Sequence, residues 1–111
     1  MSYINLNNRQ KTGEILFQYI INNDEVIKLI KLDNPYKTGV KYSVYETTKN
    51  AFCSNGLFIN LIPAMDKYLL MLRNNEIISF KEYKEYIFNI NLLKGFDNKI
   101  LDYINNIKIK G

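Results

Sequence analysis

The sequence predicts an α+β domain that is mainly helical. It has about four to five helices, with one two-stranded antiparallel hairpin inserted after an N-terminal helical segment. Three observations carry this expectation. Apolar residues recur at three- and four-residue spacing toward both ends of the chain. Only residues 40–62 alternate in twos around turn signals. Ser79-Phe80-Lys81-Glu82 is a capping box, with a serine hydroxyl to cover one orphan N–H and a glutamate three residues on to reach back.

In chain order, residues 10–22 read as a helix, with Ile15, Leu16, Tyr19 and Ile20 on one face. Asn22 and Asn23 interrupt it. Asp24 and Glu25 then suit a helix N-terminus, where negative charge is favoured, and Val26, Ile27, Leu29 and Ile30 extend the apolar stripe to about Leu32. One kinked helix and two separate helices both fit. Asp33-Asn34-Pro35 stops the run, because a proline disfavours helical geometry at the residue before it.

Residues 40–46 alternate, with Val40, Tyr42 and Val44 on one face and Lys41, Ser43 and Tyr45 on the other. Residues 57–62 place Leu57, Ile59 and Leu61 together, and Ser54-Asn55-Gly56 reads as the turn before them. Two strands alone are marginal in water, so the hairpin must lie against the helices. Pro63 suits the first turn of the next helix, and Met65, Tyr68, Leu69 and Leu72 give it a buried stripe. The helix opened by Ser79 carries Phe80, Tyr83, Ile87 and Ile90, and Gly95 closes it. Asp97 caps the last helix, whose apolar face is Ile100, Leu101, Ile104 and Ile107. The tail after it frays or adds a short strand. No repeat, linker or composition break divides the chain, so residues 1–111 read as a single compact domain.

The composition narrows the chemistry. There is no histidine and one cysteine, so Ser-His and Cys-His nucleophile pairs and His-containing or Cys-only zinc sites are excluded. The reading is non-enzymatic, with no catalytic residue, no metal ligand set and no cofactor. A lone Cys53 excludes an intrachain disulfide and fits a reducing compartment. The longest apolar runs are far too short to span a bilayer, and the N-terminus lacks a basic start followed by an apolar stretch. These features predict a soluble cytoplasmic protein with no membrane partner. Asn, Ile, Lys and Tyr together make 54 of 111 residues, and lysine outnumbers arginine 13 to 2. Both basic residues are good helix formers, so the bias reflects AT-rich codons and a low-GC bacterium, or a phage or plasmid living in one.

Each motif has an ordinary reading. Cys53 has no histidine to activate it and reads as a small half-buried residue in a connection. Glu82 and Glu85 interleave with Lys81 and Lys84 as on a solvated helix face. Residues 35–39 hold a Lys-Thr pair but lack the glycine spacing of a phosphate-cradling loop. A helix–turn–helix over 64–90 would turn two carboxylates toward phosphates. The net charge of +4 is spread evenly, and only Lys108 and Lys110 form an unopposed pair, so nucleic acid is a possible but not a favoured partner.

What remains is a contact surface. Tyr36, Lys37, Lys41, Tyr45 and Lys49 fall on the loop and the outward face of the first strand, and interfaces are enriched in tyrosine. The sequence therefore predicts a protein–protein interaction protein of phage or mobile-element type. It would bind and block a larger host or defence macromolecule. The alternatives are a virion assembly component that self-associates or joins other phage proteins, as a connector-type subunit would, and a small nucleic-acid-binding regulator.

Overall fold

A computed structural model describes residues 9–49 and 51–107. Four antiparallel strands come first: β1 (Gly13–Asn22), β2 (Glu25–Leu32), β3 (Tyr42–Thr47) and β4 (Phe52–Phe58). Three helices follow: α1 (Leu61–Asn74), α2 (Phe80–Leu92) and α3 (Asp97–Asn105). The strands lie in the order β1-β2-β3-β4, so each pairs with its sequence neighbour.

The N-terminal half corrects the expected architecture. Residues 13–32 form a hairpin where one or two helices over 10–32 were expected, and the domain is a meander sheet backed by helices. The expectation of a mainly helical chain with a single two-stranded hairpin is therefore wrong. Asn22 sets the first turn. Its side-chain oxygen accepts from the N–H groups of Asp24 (2.8 Å) and Glu25 (3.1 Å), and its amide donates to Glu25 (3.0 Å). Such side-chain mimicry of a turn is what makes asparagine a turn former and a poor helix former. Register breaks between Ile15 and Phe17 and between Ile20 and Asn22 insert one extra residue each into β1. At its start, Gly13 lies so close to the Lys31 carbonyl that a Cβ has no room.

The second hairpin lies where alternation placed strands, but with different bounds. β3 and β4 are joined by a tight turn in which the Thr48 N–H donates to the Ala51 carbonyl (2.9 Å). Ser54, Asn55 and Gly56 lie inside β4, not in the connection. Val44 pairs with Gly56 and Tyr45 with Ser54, so position 55 is the extra residue of a bulge, and Gly56 takes a φ of +153° there. The strand expected over 57–62 ends at Phe58, and α1 has begun by Leu61.

The helices follow the expected pattern more closely. Pro63 lies in the first turn of α1, where its missing N–H costs nothing. The capping box is present: Ser79 Oγ accepts from the Glu82 N–H (3.0 Å), and Glu82 Oε1 accepts from the Ser79 N–H (2.9 Å). Asp97 lies in the first turn of α3 without capping it.

One sheet face packs against the helices. Ile27 and Leu29 of β2 and Tyr42 and Val44 of β3 join Leu61, Ala64, Met65, Tyr68, Leu69 and Leu72 of α1. Tyr86, Ile90, Ile100 and Ile104 close the same core from α2 and α3. Each fully buried aliphatic side chain contributes roughly 1.5–3 kcal/mol relative to exposure. The other sheet face holds a smaller cluster of Ile30, Leu32 and Tyr45, with Tyr36, Val40 and Phe52 against it. Residues 9–12 lie on this side: the Asp33 N–H donates to the Thr12 carbonyl (3.1 Å), and the Arg9 guanidinium donates to the carbonyls of Asn34 (3.0 Å) and Pro35 (2.8 Å). The unopposed Lys108–Lys110 pair and the remainder of the tail, like residues 1–8, fall outside the described residues.

Candidate functional site

The five residues expected to share a contact surface do not do so. Tyr45 does lie on the sheet face opposite the helices, but it is only 3% exposed. Its ring packs on Phe52 at 5.1 Å between centroids, and its hydroxyl reaches the Lys11 carbonyl at 3.5 Å. Burial raises its pKa. Tyr36 is half-buried beside it, under the Arg9 guanidinium at 4.0 Å. Segment 9–12 thus covers a face that strand alternation alone marks as outward. The Tyr36 hydroxyl and the Ser43 Oγ are buried there without a hydrogen-bond partner.

The three lysines are exposed but scattered. Lys37 lies in the β2–β3 loop, in a turn closed by the Tyr36 N–H donating to the Val40 carbonyl (2.8 Å). Lys49 is in the β3–β4 turn, at the opposite end of β3, on the order of 20 Å away. Lys41 lines a cleft of about 450 Å³ with Asn60, Ile62, Asn91, Lys94 and Asp97. Both signs of charge meet in this cleft, and Asp97 is near enough to add to the burial that raises the Tyr42 pKa.

A different surface emerges on α2. Its inner face is anchored by Tyr86 and Ile90, and by Tyr83, whose hydroxyl donates to the Asp66 carboxylate on α1. Burial, then the hydrogen bond and charge of Asp66, push the Tyr83 pKa up to about 12. Tyr86 is also raised, by burial first and then by Glu82, which accepts its hydroxyl proton at 3.3 Å. With that face turned inward, the positions diametrically opposite must meet solvent, and two of them are large and apolar. Phe88 is 64% exposed and Leu92 68%. Phe96, just beyond the helix, is 58% exposed.

Phe80, expected in the apolar face of this helix, is 55% exposed at its N-terminal end. The guanidinium of Arg73 and the ammonium of Lys84 lie 5.4 and 5.3 Å from its ring centroid. Lys99 holds the same relation to Phe96 at 4.9 Å. Such contacts are worth about 0.5–1 kcal/mol at exposed sites. They hold the cations against the aromatic rings. Lys81, Lys84 and Glu85 are the exposed charges along the same side of the helix.

The sequence carries a signal for this stripe. Phe88 and Leu92 stand four residues apart and share one helix face, Tyr83, Tyr86 and Ile90 define another, and Phe80 lies between the two with its ring stacked on Tyr83. A helix with two apolar faces either lies fully inside a core or keeps one face for a partner.

Reactive constellations are sparse. Cys53, expected half-buried in a connection, is exposed on β4. Glu46, across from it in the ladder, has its pKa raised by burial and then by a hydrogen bond with, and the charge of, Glu25. Among the described residues no group of three or more Cys, Asp or Glu side chains is arranged to hold a metal ion. No helix of these residues is long and apolar enough to cross a membrane. No protein-family model, curated protein or solved structure matches the chain.

Proposed function

We propose that the protein is a binding module that acts by occupying a surface of a larger protein, with the outer face of α2 and the turn into α3 as its contact face. The observation that carries this reading is the exposure of Phe88, Leu92 and Phe96 within nine residues of one another, whereas the exposed Ile15, Ile20 and Ile59 are spread over β1 and the β4–α1 link. Exposed apolar side chains grouped among polar ones support an interaction site. Aromatic anchors on a helix also lose little conformational freedom when they dock. The expected action is blockade of a host or defence factor by a small protein of phage or mobile-element type. The low-GC composition indicates the hosts in which to seek the target.

The test is affinity capture of the tagged protein from a low-GC host lysate, before and after nuclease, beside the Phe88→Ser/Leu92→Ser variant. Both positions are well exposed, so the variant should keep its thermal midpoint and its stability within about 0.5 kcal/mol. A stoichiometric protein that survives nuclease and is lost from the variant is the expected result. Capture that is unchanged by the double substitution would place the contact elsewhere. Recovery of the chain alone would favour self-assembly.

A further inference from the structure

Residues 9–12 cross the sheet face opposite the helices and are fastened to it through backbone and charged groups. The Arg9 guanidinium donates to the carbonyls of Asn34 and Pro35 and lies 4.0 Å from the Tyr36 ring centroid. The Thr12 carbonyl accepts from the Asp33 N–H at 3.1 Å. The Tyr45 hydroxyl reaches the Lys11 carbonyl at 3.5 Å, and the Lys11 ammonium lies 5.1 Å from the Phe52 ring centroid. The Arg9 bonds are exposed, so water competes for them, and the Lys11 contacts are long ones. The segment reads Arg-Gln-Lys-Thr and brings no large apolar side chain of its own to bury.

What lies beneath the segment opposes its closure. Ile30, Leu32 and Tyr45 form a small apolar cluster with Tyr36, Val40 and Phe52 against it. Ser43 is fully buried on the same face, directly opposite Ile30 in the ladder. Neither its Oγ nor the Tyr36 hydroxyl has a hydrogen-bond partner. Leaving a buried hydroxyl without a partner costs more than an ordinary hydrogen bond contributes.

We propose that residues 9–12 are a lid that opens as a unit while the sheet and helices stay folded, and that the buried hydroxyls of Tyr36 and Ser43 set how often it opens. Closed, the lid leaves both groups orphaned. Open, it gives both of them water, so each hydroxyl favours the open state. Opening also returns Tyr36, Tyr45 and Phe52 to solvent, on the face that strand alternation marks as outward. The main core of Ile27, Leu29, Tyr42 and Val44 lies on the other side of the sheet and keeps its packing. Local opening of this kind needs far less free energy than unfolding the whole chain. It is independent of the contact face assigned to α2.

The experiment is amide hydrogen exchange of the intact chain, followed by NMR in urea from zero to just below the unfolding transition. The Asp33 N–H is the reporter, because its acceptor is the Thr12 carbonyl. The neighbouring Leu32 N–H donates to the Lys41 carbonyl within the sheet (2.8 Å) and is the control. Asp33 should be protected at least roughly tenfold less than Leu32. Its exchange should depend little on urea, because opening the lid exposes little surface. Ser43→Ala and Tyr36→Phe should each raise Asp33 protection by roughly three- to tenfold, having removed a group that gains water only on opening. Arg9→Ala should lower it by a similar factor, with Leu32 protection and the thermal midpoint unchanged. One protection factor and one urea slope shared by Asp33 and Leu32 would overturn the proposal, since the segment would then open only with the whole fold. Asp33 protection lowered by Ser43→Ala and Tyr36→Phe would overturn it too, because the hydroxyls would be holding the lid down. Protection unchanged by both substitutions would reduce the Asp33 signal to fraying of the strand end, and the proposal would fall.

Discussion

Glu46 is a carboxyl whose surroundings oppose its charge. Burial comes first, followed by the hydrogen bond to Glu25 and the repulsion of that neighbour, and all three raise its pKa above the ordinary 4.5. A carboxyl raised in the folded state stabilises the fold when protonated. Its contribution is complete below the unfolded value and is lost as pH rises through the folded one. At neutral pH the charged Glu46 therefore works against folding. Glu46→Gln keeps a hydrogen-bonding side chain toward Glu25 and removes the charge. We expect its urea midpoint to exceed the parent's at about pH 7, and the gain to vanish by about pH 4. An equal or lower midpoint at neutral pH would mean that the two side chains do not oppose each other. Tyr45 shows the other half of the residue scale: strand alternation tells which face it lies on, not whether that face is covered.

At the scale of elements, α2 rests on its capping box. Ser79 and Glu82 satisfy each other's backbone N–H groups at 3.0 and 2.9 Å. Ser79→Ala should therefore lower stability by about 1 kcal/mol, read as a lower urea midpoint with an unchanged m-value. A change within error would mean that water replaces the serine at no cost. This element was legible because its donors and acceptors lie within four residues of one another, and α1 and α3 also begin within a residue or two of where Pro63 and Asp97 place them. β1 and β2 were not. β2 is buried on both faces, Ile27 and Leu29 toward the helices and Ile30 and Leu32 away from them, so its pattern runs together and mimics a helical stripe. The two bulges in β1 break the alternation that would have marked it. The available counter-signal was its β-branched content, Ile15, Ile20, Ile21, Val26, Ile27 and Ile30, divided by Asn22-Asn23-Asp24 where a hairpin would turn.

The whole molecule decides what single elements cannot: residues 9–12 hide Tyr45, and the docking of α2 on α1 determines that Phe88 and Leu92 meet solvent. Neither contact is local in sequence, which is why the predicted surface dispersed and the exposed stripe went unread. The same packing gives the fold a collective response to alkali. Burial is the leading cause that raises the pKa of Tyr42, Tyr45, Tyr68, Tyr83 and Tyr86 above 10.0. A tyrosine raised in the folded state contributes stability that is complete below the unfolded value and disappears as pH rises through the folded one. Stability should therefore hold to about pH 10 and then fall steadily. Tyr83, at about 12, is the part of that fall open to a clean substitution. Tyr83→Phe deprives Asp66 of its donor, so it should cost about 1 kcal/mol below pH 10. The variant also has one fewer hydroxyl to ionise. Its stability should decline less steeply, and the two curves should converge as pH approaches 12. Urea midpoints measured across that range, with tyrosinate absorbance followed in parallel, check this directly. Curves that stay parallel would show that the Tyr83–Asp66 contact does not shift the titration, and a parent protein indifferent to alkali would show that these tyrosines are not as buried as the fold places them.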